Sequence, residues 1–257
     1  MTKVDQRGNP VSYGVQTAID SLDRVCDMLH AYQADPLAEV DKIIADHPDF
    51  AMAHAFRAGA LATATDKAFE PEFIKSVQAA ERLSSKANER ERMHIDAVRA
   101  WRDGDWERAT EHWGRAAITW PRDLLALQYA HVSDFFLGYS HMLRDRIARA
   151  LPHWNRGVPG YGFVEGMYAF GLEEAGDYQQ AEEHGREAVA INRQDGWAVH
   201  AVTHVLEMQG RAREGADFLA KGVDGWAPNS MFAYHLWWHK ALFHLDADDV
   251  ASALKLF

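Results

Sequence analysis

The sequence predicts an all-α fold: a right-handed superhelical solenoid of antiparallel helix pairs, tetratricopeptide-like, forming one domain over 1–257. Three observations predict it. A phrase repeats at a fixed displacement, apolar residues recur with period 3.6 rather than 2, and almost no segment alternates as a strand does. The phrase Asp103-Gly104-Asp105-Trp106-Glu107-Arg108-Ala109 returns as Ala175-Gly176-Asp177-Tyr178-Gln179-Gln180-Ala181. Gly176 follows Gly104 by 72 residues, about two periods of a 34-residue helix–turn–helix repeat.

About seven pairs follow in order, the last incomplete. The first is 15–33 with 37–46, where Cys26 lies among Leu22, Val25 and Leu29 as a small core residue. Next come 51–64 with 71–84, then 89–102 with 105–119. Gly104 permits the sharp turn between the last two and Asp105 can cap the second, which stops before Pro121. Ala109 and Ala116 let two helices approach, and Trp106 and Trp113 fill the space beyond. The pairs 123–139 with 144–155 and 163–174 with 177–191 follow. Asp177, Ala181, Ala188 and Tyr178 repeat the same roles in the latter. Between them, residues 156–163 read as a packed linker or, alternatively, a ligand-approach loop. Val199, Val202 and Leu206 carry the helix 197–208, paired with 212–223 through the weaker turn Gln209-Gly210-Arg211. Tyr234, Trp237 and Ala241 carry 231–245, paired with a helix from 248 onward across a turn that lacks glycine.

Composition narrows the function. The formal charge of −11 argues against a nucleic-acid partner, whose affinity would come from Lys and Arg. With one cysteine, no internal disulfide or multi-cysteine metal site is possible. There is no 18-residue apolar run, and the first residues lack a signal-peptide core, so a cytoplasmic protein without a membrane partner is expected. The 14 histidines and 9 tryptophans are the unusual feature.

The histidines fall in register. Ten, six and three residues before Gly210 stand His200, His204 and Glu207, which share one helix face. One repeat later, at the same height, stand His235 and His239. The same offsets from Gly104 give His94, Val98 and Trp101, and from Gly176 they give Gly166, Phe170 and Glu173. First helices of such pairs line the concave side, so His94, Trp101, Phe170, Glu173, His200, His204, Glu207, His235 and His239 form the candidate ligand-binding set.

Three readings stay open for the four-histidine group. The imidazoles are hydrogen-bonded polar residues of a groove that takes a peptide, protein or small-molecule ligand. Or His200, His204, His235 and His239 hold zinc or iron, with Glu207 or Glu173 completing the shell of a hydrolase or lyase. Or the site is catalytic without metal, His204 or His239 acting as general base oriented by Glu207. A purely structural scaffold is the further alternative. No H-E-x-x-H, G-x-S-x-G, P-loop or G-x-G-x-x-G motif is present. Close imidazoles are expected to depress one another's pKa by repulsion.

Other residues read as structural. His131 and Asp134 suit a buried hydrogen-bonded pair, and Trp237 and Trp238 suit the core, with one of them alternatively a wall of the groove. His112 and His184 suit solvated or packing roles. The charge runs 88–92 and 144–146 read as solvated helix starts.

Several stretches together resemble the tetratricopeptide repeat protein 38 family. They run from Ala34 to Pro36, Asp46 to Phe56, Glu89 to Arg92, Phe136 to Gly138, Gly166 to Glu174, Trp197 to Arg211 and His235 to His239. The resemblance implies a tetratricopeptide-like helical solenoid and places His200, His204, Glu207, His235 and His239 in signature stretches. It implies no particular activity. Family members are longer, so the sequence is expected to stop inside the array, and its open C-terminal end to offer a homodimer surface.

Overall fold

A computed structural model describes residues 3–256, and they are almost entirely helical. The helices are α1 (Gln16–His30), α2 (Pro36–Asp46), α3 (Ala51–Thr63), α4 (Glu70–Leu83), α5 (Glu89–Arg102), α6 (Trp106–Thr119) and α7 (Leu124–Phe136). They continue as α8 (Ser140–Ala150), α9 (Tyr161–Glu174), α10 (Tyr178–Ile191), α11 (Gly196–Met208), α12 (Ala212–Trp226), α13 (Ala233–Asp246) and α14 (Val250–Leu254). The one paired sheet among the described residues is a two-strand hairpin, Lys3–Val4 antiparallel to Pro10–Val11.

The repeated phrase marks a conformational period. Each odd-numbered helix ends at a residue in the left-handed region: Tyr32, Thr65, Gly104, Gly138, Gly176, Gly210 and Asp248. There the chain reverses while its amide groups satisfy the last helical carbonyls, as Asp105 N–H does to Ala100 O and Arg211 N–H to Leu206 O. Glycine takes this conformation without a Cβ penalty, whereas Thr65 and Asp248 take it against one. Gly138 explains one difference from the sequence reading: it ends α7 early, so α8 begins at Ser140 rather than 144. A single 3-10 turn over Leu151–His153, containing Pro152, ends α8 short of 155.

Asp105 caps α6 by accepting from the Arg108 amide at 3.1 Å. Asp177 does not cap α10; its carboxylate binds Arg144 at 3.3 Å instead. Ala109, Ala116, Ala181 and Ala188 are fully buried at helix crossings, as their size requires.

Helices α3, α7 and α11 lie inside. In α3, 11 of 13 residues are buried, and in α7 and α11, 10 of 13, against 3 of 14 in α10. Helices buried on every side need cover on both faces, and the N-terminal segment supplies much of it. The His30 ring spans the carbonyls of Cys26 and Leu124, and Arg7 donates to Pro159 O at 2.9 Å. The loop after α1 pairs with the loop after α12 as two backbone strands would: Ala34 N–H donates to Asn229 O at 2.8 Å and Met231 N–H to Tyr32 O at 2.9 Å. Tyr32 then stacks on Trp197 and tilts against Phe232, so this closure forms a wall beside the first turn of α11.

Two charge runs are solvated only in part, Glu89 and Arg92 being exposed. Arg90 is buried against Asp123 at 3.0 Å, and Glu91 closes a capping box with Asn88 at the start of α5. Arg146 grips the fully buried Asp134 with two hydrogen bonds of 2.7 and 3.0 Å. Asp134 therefore does not pair with His131, whose Nε2 accepts from the Trp197 indole N–H at 3.2 Å.

Candidate metal centre

Helix α11 starts where Asp195 accepts the Ala198 amide at 3.0 Å. Val199, Val202 and Leu206 pack into the core with Leu219, Trp226, Leu236 and Phe243. That packing fixes the rotation of α11 and leaves His200 and His204, one turn apart, on the face toward α13. On α13, Leu236 and Phe243 face the same core, and Gly215 of α12 lets the Phe243 ring come close. The remaining face carries His235 and His239, again one turn apart.

The four rings converge. His200 Nε2 lies 2.9 Å from His235 Nε2, which lies 3.0 Å from His239 Nε2. His200 and His204 have ring centroids 4.2 Å apart, and His204 and His239 4.8 Å. One nitrogen from each ring lies within 4.8 Å of all the others. Nitrogens held about 2.0–2.1 Å from a tetrahedral zinc stand about 3.3 Å from one another, so small ring movements bring this group to that geometry.

Proton counting sharpens the point. An imidazole nitrogen has one in-plane site, either a proton or a lone pair. His235 Nε2 therefore makes one linear hydrogen bond, to His200 or to His239, or shares its single proton or lone pair between them, so the two short contacts compete. A cation among the three nitrogens removes the conflict, because every lone pair then points at it.

Carboxylates stand behind the rings. His239 Nδ1–H donates to Glu207 Oε2 at 3.1 Å, fixing the tautomer whose Nε2 lone pair faces the group. His204 Nδ1 faces Glu173 Oε2 at 3.7 Å, and Glu173, Glu174 and His204 form a second group of donor atoms within 4.8 Å. Phe170 stacks on His200 with centroids 5.5 Å apart, and Trp238 lies across His239 at 5.0 Å.

Electrostatics favour neutral rings. Burial first, and then the other three imidazoles, hold His200 well below the ordinary histidine pKa. Burial, then His204 and His235, brings His239 down to about 3, and burial followed by His235 brings His204 down to about 4. His235 is lowered by burial alone. Desolvation therefore outweighs the mutual repulsion that spacing alone suggests. Burial, then the charges of Glu174 and Glu207, raises Glu173 to about 8. Neutral imidazole is the form that ligates metal.

The nine sequence candidates divide. His200, His204, Glu207, His235 and His239 come together, with Phe170 and Glu173 against them. His94 and Trp101 do not join them. His94 is buried with its Nε2 on Asp123 Oδ2 at 2.9 Å, and Trp101 stacks on Trp106. The offset from Gly104 places His94 at the right height, but α5 is not adjacent to α11 or α13, so the register has no partner there. Glu174 escaped the offset count, although it directly follows Glu173. Trp238 is half-exposed beside the rings rather than in the core. The loop 156–163 is a packed connection at its Pro159 carbonyl, held by Arg7. Among the described residues no helix is long and apolar enough to cross a membrane. No known family model matches the chain.

Proposed function

We propose that the protein binds a divalent transition metal, zinc or iron, through His200, His204, His235 and His239, and acts with it on a small molecule by hydrolase or lyase chemistry. The observation that carries this reading is the meeting of three Nε2 atoms at 2.9 and 3.0 Å, which neutral rings satisfy only by sharing one proton or one lone pair. A metal there supplies Lewis-acid polarisation of a substrate oxygen. Glu207 holds the His239 tautomer, and its carboxyl, raised by burial, is the group placed to accept a proton. His204 and His235 are not fully buried, so the group keeps an approach from solvent past Trp238. Four imidazoles fill a tetrahedral shell, so a substrate oxygen would take a fifth position, an expansion that catalytic zinc sites make in the transition state.

The same reading takes the helices as one tetratricopeptide-like array of pairs. The left-handed residue closing every odd helix supports this, as do the stretches resembling the tetratricopeptide repeat protein 38 family. A ligand or protein partner in place of a substrate is the second reading, favoured by Tyr234, 86% exposed, and Trp238, 51% exposed, on the outer face of α13.

Elemental analysis of protein purified without a histidine tag tests the metal. Near-stoichiometric zinc or iron, lost in the His204→Ala/His239→Ala double variant, is expected. Metal-free protein whose melting does not respond to added zinc would overturn the proposal.

A further inference from the structure

Beside the four-histidine group lies a second set of donors that it does not use. Glu173 and Glu174 are the last two residues of α9, and their carboxylates share a space with His204 in which one donor atom from each lies within 4.8 Å of the others. Glu173 is buried, its side chain only 5% exposed, and its Oε2 has no hydrogen-bond partner. That oxygen faces His204 Nδ1 at 3.7 Å, too long for a hydrogen bond. An orphaned buried carboxylate oxygen carries a full desolvation cost that a cation would offset. The C-terminal end of α9 adds the negative pole of its backbone dipoles to the same space.

We propose that Glu173, Glu174 and Nδ1 of His204 form a second divalent-cation site, so that His204 joins two metal ions through its two ring nitrogens. This rests on the metal reading of the four-histidine group. Two carboxylates with one imidazole make a harder donor set than four imidazoles, suited to zinc or manganese. The protons balance simply. With Nε2 already ligating the first ion, His204 carries its remaining proton on Nδ1. Binding of the second ion at Nδ1 expels that proton, and the one a neutral Glu173 carboxyl holds, to solvent and leaves an imidazolate bridge. Glu207 takes no part in this second set; its carboxylate is engaged by His239.

Zinc titration of the metal-stripped full chain, followed by calorimetry in two buffers of different ionisation enthalpy, tests the bridge. Two zinc ions per chain are expected, the second binding with net release of protons. The Glu173→Gln/Glu174→Gln variant should retain one zinc and lose the second. Should that variant fail to fold, Glu174→Gln alone, at a partly exposed position, should weaken the second zinc at least tenfold and leave the first unchanged. One zinc in wild type, or two in both proteins, would sink the second site while leaving the first intact. No zinc at all would sink both.

Discussion

His200 and His235 bring their Nε2 atoms to 2.9 Å across the gap between α11 and α13, although 35 residues separate them in the chain. Neither helix alone makes this contact, and each ring is held by packing on the opposite side of its own helix. A cation seated there binds the folded chain and has little affinity for the unfolded one, so it stabilises by mass action. Zinc at about a hundred times its Kd adds about 2.7 kcal/mol, on the order of 5–10 °C in Tm for a chain of this size. Thermal melts of metal-stripped protein with and without zinc should show the rise, and His200→Ala/His235→Ala should abolish it. An equal rise in the variant would place the ion elsewhere.

Glu207 acts through His239 rather than by itself. Its carboxylate accepts the Nδ1 proton at 3.1 Å and so presents the Nε2 lone pair to the group. Glu207→Ala should weaken zinc on the order of 10–100-fold without changing the number of ions bound. Glu207→Gln keeps an acceptor for Nδ1–H and should weaken it less. Competition with a chromophoric chelator reads both. Equal losses would mean that charge, not ring orientation, is what Glu207 supplies.

The histidine register could be read from sequence because the turn residue sets its phase. Counting back from Gly210 gives the height of His200 and His204, and repetition gives His235 and His239, since equal heights on neighbouring helices become contacts. That logic failed for His94, whose ring is taken up by Asp123 rather than by a histidine at the same height on a neighbouring helix. It was also silent on buried charge. Arg146 finds Asp134 from a different helix, and Arg90 finds Asp123 at the start of α7. No periodicity within one helix announces a partner on another, so both runs looked solvated. The closure by residues 32–34 and 229–231 was equally invisible, because its hydrogen bonds are between backbone groups and carry no side-chain pattern.

The Arg146–Asp134 pair should be costly to break from either side. Gly114 of α6 leaves the room: a Cβ there would lie 1.9 Å from an Arg146 nitrogen. Asp134→Ala strands a buried guanidinium and should cost about 3–5 kcal/mol. Asp134→Leu/Arg146→Met, which removes both charges, should recover much of that. Urea unfolding of the three proteins decides the matter; a double variant as unstable as the single would show that shape, not charge, sets the cost.

Close helix approach makes a separate prediction. A Cβ on Gly171 would meet backbone atoms of Arg144 and Leu143 at 2.5–2.6 Å, whereas one on Gly222 would meet only the Trp226 side chain, at 3.2 Å. Backbone cannot step aside as a ring can. Gly171→Ala should push α9 from α8 and destabilise by about 1–3 kcal/mol or more. Gly222→Ala should stay within about 1 kcal/mol of wild type, since better helix propensity offsets the tighter contact. Similar losses at both positions would refute the distinction.

The depressed histidines fix the sign of a pH effect in metal-stripped protein. His204 and His239 titrate at about 4 and about 3 when folded, against about 6.5 when unfolded. Below pH 6.5 the unfolded chain binds protons that the folded one refuses, so their contribution to stability is full at pH 7.5 and is lost as pH falls. Between pH 7.5 and 5.5 each costs about 1.4 kcal/mol. The raised carboxyls, Glu173 at about 8 and Asp195 at about 7, work in the opposite direction over part of this range. A wild-type profile alone therefore mixes the two. The difference between wild type and His204→Gln/His239→Gln separates them, because the carboxyls are common to both. Wild type should lose about 3 kcal/mol relative to the variant between pH 7.5 and 5.5, and parallel profiles would mean that the two rings are solvated and free to charge.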